Sequence, residues 1–276
     1  MTYAHFLAAF LLPALAVAVL VAIYTIRAKG FGSTLRIGGC VLAVLVVVAV
    51  MWTAPWDSWI IGRGAWTTPP NSVSARVFRV PVEELGFMAA QVLVVGVWTL
   101  ALLAHRVDGY NPAGPWPWAR APLTRVSATC LWMALIIAGA VATVASDRLL
   151  YQGSMVVLVG IPLAIQRAVG ADVLRRFRVL RLFALAPVAY FWLADRIAIG
   201  QGTWSISTQY TTGWKILGLP IEEYVFFWLT SLLIVDGLVL ACHQEIHRRL
   251  PVGSPTLRRI PGHTTRVETH SPQRAG

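Results

Sequence analysis

The sequence predicts an all-α integral membrane protein in which seven transmembrane helices form two parallel three-helix repeats joined by a linking helix. Hydrophobic residues make up 57% of the 276 residues and charged residues only 13%, whereas about a quarter of a soluble domain is charged. The mean hydropathy is +0.66, and the apolar residues form continuous runs of about 20, the length of a spanning helix. Such runs exclude an outer-membrane barrel, whose strands alternate apolar and polar residues. The repeats follow from an acidic and aromatic pattern that occurs twice.

Seven apolar runs are long enough to cross a membrane. The first has no basic residue before it and Arg27, Lys29 and Arg36 after it, the reverse of the charged start of a signal peptide. The fifth is short and holds Pro162, and the sixth ends at Asp195, so their bounds are the least defined. The predicted spans are residues 3–26, 35–54, 81–104, 124–146, 149–166, 179–195 and 219–242.

These spans divide the chain into four segments. Residues 1–110 hold the first three-helix repeat, and residues 111–147 hold a linking loop and the fourth helix. Residues 148–243 hold the second three-helix repeat, and residues 244–276 form a basic cytoplasmic tail that is predicted to be disordered. Because three helices leave the chain on the opposite side, a fourth must return it if both repeats are to share one orientation.

The formal charge of +11 is explained by the predicted topology. Of the 23 lysines and arginines, 17 fall in the loops and tail on the side opposite the N-terminus, and 6 fall on the N-terminal side. The positive-inside rule therefore predicts a multi-pass protein of the plasma membrane, with its N-terminus outside and its C-terminus in the cytoplasm. The tail could contact anionic lipid, and no nucleic-acid partner is expected. The oligomeric state does not follow from the sequence.

A repeated motif gathers acidic residues at the predicted outer face. Asp57, Gly64 and Trp66 recur 138 residues later as Asp195, Gly202 and Trp204. With one residue of slippage, Pro81-Val82-Glu83-Glu84 recurs as Pro220-Ile221-Glu222-Glu223, and Phe87 recurs as Phe226. Each Pro-x-Glu-Glu motif opens a span on the same side of the membrane, so the two motifs are expected to face each other across one cavity.

The predicted catalytic residues are the carboxyl groups of these motifs. A carboxylate next to hydrocarbon is costly, by about 2.5 to 3.5 kcal/mol at mid-bilayer, and usually faces a functional cavity. A carboxyl group that keeps its proton near neutral pH can act as a general acid. The alternative is a plain helix start, in which acids sit favourably at the positive end of the helix dipole. The candidates are Asp57, Glu83, Glu84, Asp195, Glu222 and Glu223.

Aromatic residues beside the acids are the predicted substrate-binding residues, since ring faces can stabilise a developing cation. An aromatic belt at the membrane surface is the alternative for the tryptophans, and core packing is the alternative for the phenylalanines. The candidates are Trp66, Trp204, Phe87, Phe226 and Phe227.

The sequence lacks the motifs that several classes of enzyme chemistry require. The sequence has no aspartate-rich diphosphate motif, no glycine-rich dinucleotide fingerprint and no P-loop. The three cysteines lie singly in apolar runs, without the spacing of a disulfide framework or a zinc site, and the two lysines lie in predicted loops, which excludes a retinal Schiff base. We therefore expect no cofactor and no metal, and acid-base chemistry on a hydrophobic substrate that enters from the bilayer.

At these residues the chain resembles the lycopene cyclase domain family, in particular the fused form of the heterodimeric-type cyclases. Pro81-Val82-Glu83-Glu84 and Pro220-Ile221-Glu222-Glu223 are similar to that family's acidic motifs, and the resemblance covers both repeats. It implies an intramolecular lyase or isomerase that protonates a terminal isoprenoid double bond, lets the cation close a ring and removes a proton. For lycopene the favoured product is a β ring, although loss of a different proton would give an ε ring.

Two other functions stay open at this point. The first repeat follows its motif with Leu85-Gly86-Phe87-Met88 rather than a Phe-Phe pair such as Phe226-Phe227. The scaffold also resembles small membrane terpene cyclases that act on prenylated indoles or other meroterpenoid precursors. A lipid or carotenoid carrier, or a transporter, is the non-catalytic alternative, but carriers usually place their acids near mid-membrane.

Overall fold

The computed structural model describes residues 2–30, 32–106 and 121–249. Within these residues, seven helices are long and apolar enough to cross a membrane, and the predicted all-α membrane fold is confirmed. We number them as spans 1 to 7 in chain order. They are Tyr3–Lys29, Ser33–Arg63, Val82–His105, Ala121–Ala145, Asp147–Arg176, Arg178–Gly200 and Ile221–Ala241.

Three spans are not regular along their whole length. Span 1 contains a π-helical turn, Leu7–Leu11, and span 5 begins with a 3₁₀ turn, Asp147–Leu149. Span 6 consists of two helices, Arg178–Ala184 and Pro187–Gly200. The helix of span 3 continues to Arg106, and a short helix, Gln244–Arg249, follows span 7.

Spans 2, 5 and 6 run further than predicted. Span 2 continues from residue 54 to Arg63 and span 6 from residue 195 to Gly200, so Asp57 and Asp195 lie inside helices. Span 5 continues from residue 166 to Arg176. A charged residue lowers the hydropathy of its stretch and so ends a predicted span early, although in a helix the same side chain can turn towards the protein interior.

Short β-strands connect the spans at the end of the bundle that carries the repeated acidic motifs, here called the acid end. Hairpins β2 (Arg76–Val77) with β3 (Val80–Pro81), and β5 (Lys215–Ile216) with β6 (Leu219–Pro220), lead into spans 3 and 7. Strand β1 (Trp66–Thr67) pairs antiparallel with β4 (Ser205–Ile206), with Trp66 opposite Ile206, and so ties the two repeats together.

Left-handed glycines make the turns that start these connections. Gly64 follows span 2 with a φ of 75°, and its repeat counterpart Gly202 follows span 6 with a φ of 67°. Residues with a side chain rarely adopt such angles. Gly64 and Gly202 therefore make the turns that follow the ends of spans 2 and 6, after Asp57 and Asp195 respectively.

The hydrophobic core lies around spans 3 and 7, and span 3 is the most enclosed of the seven. Span 4 lies to one side and packs chiefly against span 5. Gly139 and Gly153 allow this close contact, because a Cβ on Gly139 would come within 2.8 Å of the Gly153 carbonyl oxygen. Span 4 thus links the repeats without contributing to the interface between them.

Buried ion pairs cross-link the helices at the opposite end of the bundle. Asp236 of span 7 accepts from Arg181 of span 6 and lies 2.6 Å from Nη1 of Arg167 in span 5. Asp172 of span 5 accepts two hydrogen bonds from Arg249, at 2.9 and 2.8 Å. Buried charges are tolerated when they are paired in this way, which explains how span 5 carries charged residues along its extension.

Candidate active site

A small cavity at the acid end brings four carboxyl groups together. Asp57, Glu84, Asp195 and Glu223 line it, one from each of spans 2, 3, 6 and 7 and two from each repeat. Glu84 is half-buried and the other three are buried. The cavity has a volume of about 40 Å³. The predicted meeting of both acidic motifs at one cavity is therefore what the structure shows.

The two glutamates of each motif have different positions. Ser74 donates its backbone N–H to Oε1 of Glu83 at 2.7 Å, and Thr212 donates its N–H and its hydroxyl to Oε1 of Glu222, both at 2.7 Å. Consecutive residues of a helix point about 100° apart, so the first glutamate of each pair faces its hairpin loop and the second faces the cavity. Glu83 and Glu222 do not line the cavity.

Two tyrosines that sequence reasoning missed bind the cavity glutamates. The Tyr3 hydroxyl donates to Oε2 of Glu84, and the Tyr151 side chain interacts with Glu223. The tyrosines are repeat counterparts. The Tyr3 backbone N–H donates to the Ser72 carbonyl and the Tyr151 backbone N–H donates to the Tyr210 carbonyl. Tyr210 follows Ser72 by 138 residues, which is the offset of the repeat. The available signal was their shared place at the start of the first helix of each repeat.

The aspartates differ in how they are held. Trp204 donates its indole N–H to Oδ1 of Asp195 at 2.8 Å, and the Asp195 carboxyl group also contacts that of Glu223. Each of these two carboxyl groups has one buried oxygen that receives no hydrogen bond from any donor in the described part of the chain. These oxygens are Oδ2 of Asp195 and Oε1 of Glu223. Oδ2 of Asp57 is likewise buried without a donor among the described residues.

Aromatic rings form most of the remaining cavity wall. Trp204 contacts Tyr3 at a centroid distance of 4.9 Å. Trp56 stacks on Phe226 at 6.4 Å and donates its indole N–H to Ser154 at 3.0 Å. The rings of this wall present their electron-rich faces to any group in the cavity and leave little room for water beside it. All five predicted aromatic residues line it: Trp66, Phe87, Trp204, Phe226 and Phe227.

The carboxyl groups of the cavity are not grouped as metal ligands. Across residues 2–30, 32–106 and 121–249, no three histidine, cysteine, aspartate or glutamate side chains converge closely enough to hold an ion. The arrangement suits proton transfer instead, because it places carboxyl groups that can donate or accept a proton against ring faces that can stabilise a cation.

Sequence comparison decides the family. The pattern of the family described as "Lycopene cyclase" matches residues 2–102 and 148–238. The chain belongs to the lycopene cyclase family. Its predicted membership is confirmed, and with it an enzymatic function. The two matched segments contain the acidic motifs and both cavity tyrosines, and they leave out the whole of span 4.

Curated members of the lycopene cyclase family resemble the chain over most of its length. A "Lycopene beta-cyclase" of Halobacterium salinarum is 36% identical over 233 residues, which cover 82% of this chain and 93% of that protein. A "Bifunctional lycopene cyclase/phytoene synthase" of Phaffia rhodozyma is 30% identical over 226 residues, 74% of this chain but only 32% of that protein. A similar protein of Podospora anserina is 31% identical over 71% of this chain. No solved structure matches the chain.

Proposed function

We propose that the protein is a lycopene cyclase that closes a β ring at an end of lycopene by non-redox, proton-initiated chemistry. Its similarity to the halobacterial "Lycopene beta-cyclase" along 93% of that protein supports the substrate and the ring type. The cavity supports the chemistry, since it combines four carboxyl groups with an aromatic wall. That combination is the observation that carries the proposal.

The reaction needs only acid, base and a dry cavity. A proton adds to the terminal double bond and leaves a tertiary cation, and a neighbouring double bond then attacks the cation, which forms the ring bond and moves the charge into the ring. Loss of a ring proton to a base restores a double bond. Atoms and electrons balance without an oxidant, and the product is an isomer of the substrate, as an intramolecular lyase or isomerase requires.

We place the acid in the Asp195–Glu223 pair. Their carboxyl groups contact each other, and each has a buried oxygen that lacks a donor among the described residues. A single proton held between the two carboxyl groups would satisfy both oxygens, as in other carboxylate pairs that share a proton. That proton faces the cavity and is available to an alkene.

Glu84 is the proposed base. The Tyr3 hydroxyl donates to its Oε2 and so holds the Glu84 carboxyl group at the wall of the cavity that it lines, where a carboxylate can accept a proton. Glu84 and Asp57 interact electrostatically, and both carboxyl groups line the cavity in which the second repeat would create the cation. The ring faces of Trp56 and Phe226 complete the stabilisation of that cation.

The charge distribution is the basis for the proposed orientation of the protein in the plasma membrane. The ion-paired arginines Arg167, Arg181 and Arg249 lie at the end opposite the acid cavity, where basic residues are abundant in the sequence. We infer that this end faces the cytoplasm and that the acid cavity opens near the outer surface of the plasma membrane. The substrate partner is then an isoprenoid dissolved in the bilayer.

A cavity at one end of the bundle predicts stepwise ring formation. A linear C40 polyene is about as long as the hydrocarbon core is thick, roughly 30 Å, so one end of lycopene reaches the acids at a time. A monocyclic intermediate is expected to accumulate in a time course resolved by chromatography. Release of bicyclic product without any monocyclic intermediate would contradict a single acid cavity.

The test is expression in a lycopene-accumulating bacterium, beside a Glu84→Gln plus Glu223→Gln control. Wild-type protein should convert lycopene to cyclic isomers of unchanged mass, and the control should leave lycopene unaltered. The ring type follows from the chromatographic identity of the product. Unaltered lycopene in cells whose membranes contain the wild-type protein would contradict the proposed substrate.

One observation favours a second candidate, a terpene cyclase that acts on a prenylated indole or other meroterpenoid precursor. Met88 lines the cavity at the position that Phe227 occupies in the second repeat, so the first repeat lacks one ring of the wall. A shorter substrate with its own arene could fill that space. Conversion of a prenylated indole, together with unaltered lycopene, would support this candidate.

A further inference from the structure

We propose that an apolar groove between spans 1, 3 and 6 holds the linear chain of the isoprenoid substrate while one end reacts in the acid cavity. The proposal rests on the proposed function, because it extends the same substrate from the reacting end into the membrane. The acid cavity itself has about 40 Å³, room for about three water molecules. The chain beyond the reacting end must therefore lie elsewhere.

The groove is larger than the cavity and its walls are apolar. It has a volume of about 330 Å³ and is lined by residues such as Val17, Val94 and Trp98. Its polar groups are already satisfied, since Tyr190 donates its hydroxyl to the Phe10 carbonyl at 2.6 Å and Trp98 donates its indole N–H to a carbonyl of span 6 at 2.9 Å. A hydrocarbon chain meets no unpaired donor from these two side chains.

A layer of rings in contact with one another lies between the groove and the acid cavity. Tyr190 lines the groove and contacts Phe191 at a centroid distance of 6.2 Å. Phe191 contacts Phe87 at 6.1 Å and stacks on Phe227 at 5.7 Å, and both of these rings line the acid cavity. The proposal requires these rings to turn aside when the substrate chain passes from one space to the other.

The groove also lies at the depth that the chain of a long substrate would reach. At 1.5 Å per helical residue, Tyr190 is about 7 Å along span 6 from Asp195, and Trp98 is about 21 Å along span 3 from Glu84. A linear C40 chain of roughly 30 Å that places one end among the acids therefore extends through the groove.

The second repeat has a corresponding seam, between spans 5, 7 and 2, which two polar side chains cross by hydrogen bonds. Trp52, the repeat counterpart of Tyr190, donates to the Leu158 carbonyl at 3.1 Å. Gln166 donates to the Leu233 carbonyl at 2.9 Å, and its Nε2 lies 3.3 Å from the place of a Cβ on Gly237. Gln166 thus spans the seam beside span 7.

At the place of Gln166, the first repeat has a valine, whose side chain cannot donate a hydrogen bond to the neighbouring span. Val17 stands four residues after Pro13, as Gln166 stands four residues after Pro162, and Val17 lines the open groove. The two repeats therefore differ at this seam. The open groove is in the first repeat, beside the layer of rings. The occupant we assign is the substrate chain, and a lipid acyl chain is the competing occupant that the test must separate.

The test fills the groove and compares products in the lycopene-accumulating bacterium. Ala186 lines the groove, is exposed and has Val48 as its exposed repeat counterpart, so Ala186→Phe and Val48→Phe form a matched pair. Ala186→Phe should lower the ratio of cyclic product to lycopene severalfold by itself and at least tenfold when combined with Val17→Trp, whereas the matched Val48→Phe should change it less than twofold. Protein in the membrane is quantified for each variant, and Val17→Trp alone is measured as a second, milder filling.

A binding measurement separates substrate from lipid. The Glu84→Gln plus Glu223→Gln protein, purified in detergent from the same cells, should retain lycopene, and the added groove substitutions should remove it. Normal cyclisation and lycopene retention by the filled variants would overturn the groove proposal alone. Wild-type protein that forms no cyclic carotenoid would overturn the proposed function, and the groove proposal with it.

Discussion

In the half of the acid cavity built by the second repeat, Trp204 donates to Asp195 and Asp195 contacts Glu223. In the half built by the first repeat, no hydrogen bond from Trp66 to Asp57 occurs within the described residues, although Tyr3 donates to Glu84 much as Tyr151 interacts with Glu223. Two copies of one motif therefore hold their carboxyl groups in different ways. A symmetrical pair would offer two equal acids, whereas this cavity can divide the work between a proton donor and a proton acceptor.

The largest expected effect comes from removing either cavity glutamate. Glu84→Gln and Glu223→Gln, made separately, should each lower the rate of cyclisation about 100-fold or more, the usual range for loss of a general acid or base. The measurement is the initial rate of cyclic product formation in isolated membranes with equal amounts of protein. Full activity of one variant would show that a single half of the cavity performs both steps.

The aspartates should differ from each other. Asp195→Asn is expected to lower the rate about 100-fold, because it breaks the carboxyl pair that holds the proton. Asp57→Asn should lower it about tenfold, because Asp57 lies outside the carboxyl pair and acts on the reaction only through its electrostatic interaction with Glu84. Equal losses in the same membrane assay would remove the distinction between the two halves.

The tryptophans give a smaller and well-matched comparison. Trp204→Phe removes the N–H that binds Asp195 and keeps a ring, and loss of a hydrogen bond to a charged group, about 1.5 kcal/mol or more, corresponds to a rate about tenfold lower. Trp66→Phe is the control, since Trp66 lines the same cavity and no bond from its indole to Asp57 occurs within the described residues. Its rate should stay within about twofold of wild type, and a larger loss for Trp66→Phe than for Trp204→Phe would contradict the assigned contacts.

The smallest effects are expected on stability, at the glutamates that face the loops. Glu222→Ala removes two hydrogen bonds to Thr212 and Glu83→Ala removes one to Ser74. A hydrogen bond contributes about 0.5 to 1.5 kcal/mol to stability, and Thr212 is half-buried whereas Ser74 is exposed, so Glu222→Ala should lower the free energy of unfolding more than Glu83→Ala. Thermal unfolding in detergent checks the order, and an unchanged midpoint for both variants would contradict their role in holding the hairpins.

Much of the fold could be predicted because its signals are local. Continuous apolar runs give the number of spans, and the repeat at an offset of 138 residues gives two equivalent acidic motifs on one side. The ends of spans 2 and 6 could not be predicted from hydropathy, because Asp57 and Asp195 lower the local average although their side chains turn inward. Residues 107–120 and the tail after residue 249 lie outside the described residues, so the predicted linking loop and the predicted disorder of the tail stay predictions.

The carboxyl groups of the candidate site could be predicted from the sequence, but the direction in which each side chain points could not. Sequence reasoning selected all four cavity carboxyl groups, yet Glu83 and Glu84 are adjacent and only helical geometry separates the loop-facing side chain from the cavity-facing one. Tyr3 and Tyr151 were missed because a tyrosine at the start of an apolar run looks like an interfacial residue. The groove between spans 1, 3 and 6 depends on the packing of helices that are distant in sequence, and no local pattern indicates it.

The most direct test of this account compares the two glutamates of each motif as matched pairs. One double variant is Glu84→Gln plus Glu223→Gln, and the other is Glu83→Gln plus Glu222→Gln, both expressed at equal level in lycopene-accumulating cells. We predict unaltered lycopene with the first variant and cyclic carotenoid with the second, because only the first changes carboxyl groups that line the cavity. Cyclic product from the first variant and none from the second would contradict the assignment of the cavity as the active site.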